Sequence, residues 1–155
     1  MKAVVQRVTR AAVEVGGETV GSIGLGLLVL VGAETGDTEA DCEKLADKIT
    51  KLRIFSDEND KTNLSLGDVS GDMLIVSQFT LCADCSHGNR PYFGDLAESP
   101  DRAEQLYEHF KKICADKISG KVEAGIFGAD MKVSLLNDGP FTIILQCKNG
   151  KIISA

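Results

Sequence analysis

The chain has no tryptophan, only 5% aromatic residues and two histidines among 155 positions. So few aromatics leave little for the base-stacking platforms that proteins use to bind single strands. Positive charge is short as well: the net charge is −6, and no basic cluster reaches four residues in succession. A protein that wraps duplex nucleic acid through many phosphates needs more than this, although a partner engaged mainly through one terminus is compatible with it. Long apolar runs are missing too. The longest, Leu25 to Val31 with one glycine inside, falls far short of the roughly 20 residues that span a bilayer. The opening Met1-Lys2-Ala3-Val4-Val5-Gln6-Arg7 has no apolar core before its second basic residue, so it lacks a signal-peptide layout. A soluble, cytoplasmic protein with no membrane partner is expected.

Familiar catalytic signatures are also absent. Gly24-x-Gly26 lacks the third glycine and the following helix of a dinucleotide fingerprint and reads as a turn, and no phosphate-loop motif is present. Five cysteines, an odd number, suit a reducing compartment. Cys42 and Cys114 fall on apolar faces of expected helices and Cys147 late in an apolar strand, so all three read as small core residues. Cys82-Ala83-Asp84-Cys85-Ser86-His87 has the Cys-x-x-Cys spacing that can bind zinc or cycle as a dithiol. A closed zinc site needs a fourth ligand, and no second Cys/His pair exists. We therefore read loop cysteines here and expect neither metal nor cofactor. Asp57-Glu58-Asn59-Asp60-Lys61 lacks the ligand spacing of a calcium loop and reads as solvated.

What is present is an ordinary globular composition, 43% hydrophobic and 26% charged, on a chain long enough to bury a core as one domain over 1–155. Residues 2–8 and 11–15 alternate and are β-branched, and Gly16-Gly17 signals a hairpin before Thr19-Val20. Leu25–Val31 and Met73–Val76 read as buried strands. Asp37 or Thr38 can cap a helix to about Leu52, whose Cys42, Leu45, Ala46, Ile49 and Leu52 share one face. Ala83 to Ser99 is a long loop, and loops of that length in compact domains are usually functional. A second helix starts at Ser99-Pro100 and buries Ala103, Leu106, Phe110, Ile113 and Cys114. Val122–Gly128, Met131–Leu136 and Phe141–Cys147 give further strands. The expected fold is α+β: one domain, mostly antiparallel or mixed sheet, barrel-like, with two principal helices.

Two motifs stand out. Ser77-Gln78-Phe79-Thr80-Leu81 closes the strand Met73–Val76, and Asn137-Asp138-Gly139-Pro140-Phe141-Thr142 interrupts two apolar stretches where proline cannot donate to a ladder. Both put small polar groups at strand ends. Neither contains His, Lys or a carboxylate pair, so a nucleophile with its base is hard to assemble. Thr80 is the candidate nucleophile, with no base in evidence; the plainer reading is that Thr80 and Ser77 satisfy backbone groups at a strand end. His87, on the loop, could approach this motif, whereas His109 reads as a helix-surface residue. Asn137 and Asp138 shape a turn, and Gly139-Pro140 reads either as a tight turn or as a cis peptide, which proline permits.

Together with Met1-Lys2-Ala3-Val4-Val5-Gln6-Arg7-Val8, Gly88-Asn89-Arg90-Pro91-Tyr92-Phe93 and Gly125-Ile126-Phe127-Gly128-Ala129-Asp130-Met131, these motifs resemble the bacterial and eukaryotic D-aminoacyl-tRNA deacylases over nearly the whole chain and in the same order. Two departures are visible: Phe141 stands where Val is more usual, and His87 where Lys is commoner, beside two cysteines. The resemblance implies hydrolysis of the ester linking a D-amino acid to tRNA, and of glycine mischarged on tRNA-Ala, as proofreading in translation. It also implies a homodimer with its active sites at the subunit interface. In that arrangement a cis Gly139-Pro140 of one chain enters the pocket of Ser77, Gln78, Phe79 and Thr80 on the other. Its carbonyl oxygens hold the substrate's amino group, Phe127 and Met131 flank the 3′-terminal adenosine, and Arg7 holds the Gly-Pro loop. An aminoacyl ester is already activated, so orientation, an oxyanion site at the Phe79 and Thr80 amides and help from the ribose 2′-hydroxyl would suffice without a base. With the amino group clamped by backbone, an L side chain would run into the main chain while hydrogen or a D side chain points outward. The alternatives from other classes are a non-catalytic dimeric module that binds a tRNA end or small metabolite, and a thiol- or zinc-dependent hydrolase built on Cys82, Cys85 and His87.

Overall fold

A computed structural model of the chain describes residues 1–153. Two hydrophobic cores organise it, one on each side of a single curved sheet. Strand β1 (Lys2–Val15) is the centre of that sheet. It pairs antiparallel with β2 (Glu18–Ile23), with β3 (Gly26–Gly32) and with the long β8 (Met131–Lys148). Strand β6 (Asp72–Ser77) lies parallel to β3, and β7 (Val122–Ala124) parallel to β6. A last strand, β9 (Lys151–Ile153), pairs with the end of β8. The expected mixed sheet and two helices are thus present. The sheet rolls into a half-barrel because β2 folds over β6 and β7: a Cβ placed on Gly21 would lie 3.0 Å from the Ala124 carbonyl oxygen and 3.3 Å from a Leu74 methyl.

Sequence pattern and register explain where β1 points. Ala3 and Val5 belong to the larger core, whereas Val8, Ala11 and Val13 belong to the smaller. Strict alternation cannot do this. The register against β8 shifts between Gln6 and Val8, where the extra residues lie in β8, and again between Val8 and Arg10, where Thr9 is the extra residue of β1. This second irregularity moves the odd-numbered side chains from the larger core to the smaller. What the alternation suggests as two strands, 2–8 and 11–15, is therefore one continuous strand with bulges. The same holds for β8. Proline has no amide to donate to a ladder and should end a strand there, yet the strand continues. Val8 pairs with Asn137 and Gln6 with Thr142, so residues 138–141 bulge out between resumed ladder bonds.

The larger core lies between the sheet and two helices, α1 (Glu39–Thr50) and α2 (Pro100–Lys117). In α1, Asp41 accepts hydrogen bonds from the Thr38 amide and hydroxyl, both at 2.9 Å, so the acidic residue in the first turn secures the start. Leu27, Leu45, Ile49, Met73, Ile75, Leu106 and Phe110 are fully buried, each worth roughly 1.5–3 kcal/mol of transfer free energy. Helix α2 also buries Tyr107, one turn from Ala103 and Cys114's side of the stripe. The helices are tied on their outer side by Arg102, which donates to both Glu39 oxygens at 2.9 and 3.0 Å. His109 is half-buried rather than a simple surface residue, with its Nε2 3.7 Å from Glu43 and no hydrogen bond. Between α1 and β6, β4 (Phe55–Ser56) and β5 (Thr62–Leu64) form a small hairpin around the Asp57–Lys61 turn. Expected strand Val122–Gly128 stops at Ala124. No helix among the described residues is long and apolar enough to cross a membrane.

Candidate active site

Strand β6 is apolar and buried until Ser77, where the core ends. The Gln78 amide makes one more ladder bond, to the Val31 carbonyl at 2.8 Å, and the chain then tightens into a 3-10 turn over Phe79–Cys82. A tight turn leaves its first amides without intrahelical acceptors. Among the described residues, the amides of Phe79 and Thr80 donate to no backbone carbonyl outside the regular elements. Glycine allows this close turn: a Cβ on Gly32 of the neighbouring strand would lie 2.6 Å from the Gln78 carbonyl oxygen.

This turn forms one wall of a cleft of about 490 Å³. Its lining includes Ser77, Gln78 and Phe79, Phe127 and Met131, and Ala97, Glu98, Pro100 and Ala103. Phe127 leans on Tyr107, ring centroids 5.8 Å apart, and the Tyr107 hydroxyl donates to the Ile75 carbonyl at 3.0 Å, with the Gly125 carbonyl at 3.4 Å. Phe79 is 59% exposed and packs on Phe93, from the long loop, at 5.1 Å. That loop is pinned at its far end, where the Glu98 amide donates to the Ala33 carbonyl and the Thr35 amide to that of Leu96. Glu98 and Asp130 are the charged residues of the lining. Bonds from the Ser99 amide, and then from Gly36, hold the Glu98 carboxyl below its ordinary pKa, so it is ionised at neutral pH. A lining with carboxylates and no Lys or Arg suits a neutral or cationic group rather than a phosphate.

Thr80 differs from the sequence expectation. Its hydroxyl oxygen accepts from the Gln78 side-chain amide at 2.5 Å, not from a backbone group, which leaves its proton free to donate outward. No His, Lys or carboxylate hydrogen-bonds it among the described residues, and His87 is exposed and makes no hydrogen bond to this segment. Cys82 and Cys85 do not form a pair of like character. Cys82 is buried in the turn, its thiol directed at the Ala33 carbonyl and its pKa pushed up by burial, while Cys85 is exposed.

Arg7, Gly139 and Pro140 form a second group. Gly139-Pro140 is a cis peptide, at the crest of the β8 bulge, and both residues are exposed. The bulge is closed by Asn137, whose Oδ1 accepts from the Phe141 amide at 2.9 Å and whose amide donates to the Thr142 hydroxyl at 3.0 Å. Arg7 reaches into it: Nε donates to the Asp138 carbonyl at 2.9 Å and Nη1 to the Ile54 carbonyl at 2.7 Å. Gly139 has φ +136, a region that favours glycine, and a Cβ there would lie 3.0 Å from Arg7 Nη2. Register separates this group from the cleft. Ser77 is level with Val31, Ala3 and Leu145, whereas Arg7 is level with Leu27. The offset amounts to roughly 13 Å along the strands and about 14 Å across them within one chain. The structure thus brings Ser77, Gln78, Phe79, Phe127 and Met131 together and keeps Arg7, Gly139 and Pro140 apart from them. Glu98 and Tyr107 are members of the site that sequence reading missed. Tyr107 carried a signal, since it stands four residues after Ala103 on the buried stripe; Glu98, next to a helix cap, carried none.

The fold is similar to that of a solved structure described as a probable eukaryotic D-amino acid tRNA deacylase. The two superpose with a TM-score of 0.81 over 92% of this chain and 97% of that one, at 17% identity, which places the chain in that fold class. A second solved structure, described as c-Myc DNA Unwinding Element Binding Protein, gives a TM-score of 0.90 at 43% identity over 96% and 99% of the two chains. The chain belongs to the D-Tyr-tRNA(Tyr) deacylase family, whose model matches residues 4–146. Relatives named D-aminoacyl-tRNA deacylase include those of Akkermansia muciniphila, 53% identical over 96% of this chain and 98% of the relative, and Pelobacter propionicus, 56% identical over 94% and 99%.

Proposed function

We propose that this protein is a D-aminoacyl-tRNA deacylase that hydrolyses the ester between a D-amino acid and the 3′ end of tRNA, releasing both, as quality control in translation. The observation that carries this reading is the convergence of Ser77, Gln78, Phe79, Phe127 and Met131 on one cleft in a member of this family. In the reaction, water attacks the ester carbonyl carbon and the acyl–oxygen bond breaks. The hydroxyl of water stays on the acyl group, and its proton goes to the departing ribose oxygen, relayed by the neighbouring ribose hydroxyl. The free amides of Phe79 and Thr80 stabilise the oxyanion, a contribution of about 10²–10³ in rate for one such donor. Gln78 orients the Thr80 hydroxyl as a donor. Phe127 and Met131 flank the terminal adenosine. No cofactor is required.

The chiral step needs a second copy. Exposed Gly139 and Pro140 are too far from the cleft of their own chain to touch a substrate in it. In a homodimer with interface sites, the loop of one copy enters the cleft of the other, and its carbonyl oxygens hold the ammonium group while Arg7 braces the loop. The exposed Leu136 and Ile144 on β8 are compatible with a buried face there. The same geometry admits glycine, so glycyl-tRNA-Ala is a further substrate, and tRNA charging places the enzyme in the cytoplasm. Duplex DNA binding, suggested by the description of one solved relative, is disfavoured by the net charge of −6 and the carboxylate lining.

Deacylation of matched D-, L- and glycyl-tRNAs tests the proposal. Release from the D and glycyl esters with little action on the L ester is expected. Binding without turnover would favour a tRNA-end module instead, and loss of activity with a strong chelator or with Cys85→Ser would favour thiol or zinc chemistry.

A further inference from the structure

We propose that Phe141 is a positioning residue: its ring clamps the Arg7 guanidinium against the Gly139-Pro140 turn and thereby sets how strictly D and L substrates are separated. This rests on the deacylase reading above. The ring centroid lies 4.8 Å from Arg7 Cζ, which sits over the aromatic face. The edges of the same cation are spent on the Asp138 and Ile54 carbonyls, at 2.9 and 2.7 Å, with the Asp138 carboxylate at 3.6 Å. Its remaining nitrogen faces Gly139. The Arg7 side chain is only 12% exposed, although it braces a loop that is itself exposed.

Phe141 is suited to this by its own anchoring. It is half-buried and packs against the larger core, and its amide is held by Asn137. The amide bond fixes the backbone from which the ring projects, and the ring cannot swing away without leaving the core. Arginine has several rotatable bonds, and an uncovered guanidinium face would be hydrated, letting water compete for the two carbonyls. An aliphatic side chain of similar bulk could fill the space but offers no π face. Small displacements at such a clamp have large effects, since an error of about 1 Å in a reacting geometry costs on the order of 10²-fold.

The experiment compares wild type, Phe141→Leu, Phe141→Met and Phe141→Tyr by two readouts. The first is the ratio of kcat/KM on D- and L-aminoacyl-tRNA. The leucine and methionine variants are expected to lower it by roughly tenfold, a part of the full misplacement effect, while tyrosine keeps it within about threefold because the π face persists. The second is the Arg7 Nε–H resonance in NMR. In wild type it should be shifted by the ring current and protected from exchange, and both features should fade in the leucine and methionine variants. An unshifted, fast-exchanging resonance in wild type would overturn the proposal even if every variant failed to fold, as would an unchanged D/L ratio in a folded leucine or methionine variant. If wild type shows no deacylation, the functional reading fails by itself and the resonance still decides whether Phe141 holds Arg7.

Discussion

Gly32→Ala offers a sharp test of how the fold builds the cleft. The added methyl would lie 2.6 Å from the backbone carbonyl oxygen of Gln78, 3.4 Å from the Cys82 sulfur and 3.5 Å from Leu81 Cβ. The last two are ordinary contacts; the first is not, and a carbonyl tied into the turn by the Leu81 amide at 3.2 Å cannot swing aside alone. Restoring contact distance moves the Gln78–Leu81 turn outward by about 0.5–0.8 Å. Overpacking of this kind costs about 1–3 kcal/mol, and for a domain of this size that lowers Tm by roughly 2–12 °C. The Phe79 and Thr80 amides ride on the displaced segment, so kcat/KM on D-aminoacyl-tRNA should fall by about 10–100-fold well below Tm. Gly24→Ala is the control, because a Cβ at Gly24 meets nothing within 4 Å. Thermal unfolding and a deacylation assay at 25 °C read the two effects. Gly32→Ala with unchanged Tm would refute the packing geometry. A destabilised variant with wild-type kcat/KM would refute the claim that this turn holds the reacting group.

Thr80→Ala should keep kcat/KM within roughly tenfold of wild type, since Thr80 has a donor on it and no base; abolished turnover with substrate binding intact would make it a nucleophile. Alkylation of the native protein near neutral pH should modify Cys85 alone by mass spectrometry, because burial pushes the Cys42 and Cys114 thiols up to about 12 and that of Cys147 to about 11, and also raises Cys82. The Glu39 carboxyl is held at about 2 instead of 4.5, first by its hydrogen bonds from Arg102. A depressed pKa stabilises the fold above the ordinary value and is lost as pH falls through the folded one. The stability difference between wild type and Glu39→Gln should therefore shrink between pH 4.5 and about 2; a difference that grows in that range on chemical denaturation would contradict the ion pair.

Local rules carried much of this protein. Helix α1 lies where the spacing of Cys42, Leu45, Ala46 and Ile49 and the cap at Thr38 put it, because a helix records its buried face every three to four residues. Helix α2 begins at Pro100 for an equally local reason, a ring that suits the first helical position. Ser77–Leu81 and Asn137–Thr142 were legible as unusual strand-end chemistry for the same cause: hydroxyls, amides and Gly-Pro are visible one residue at a time. Tertiary structure decided the rest. The face swap along β1 depends on the bulge at Thr9 against β8, and a bulge is set by pairing between residues more than a hundred positions apart. The 3-10 turn depends on there being no Cβ at Gly32, a property of a neighbouring strand. Glu98 reaches the cleft only because its loop is tied to Ala33. The separation of Gly139-Pro140 from the cleft follows from register across four strands, which no stretch of sequence contains. Sequence alone set the elements and their chemistry, since those follow from near neighbours along the chain; which groups meet was set by packing, since contact between distant strands depends on every register between them.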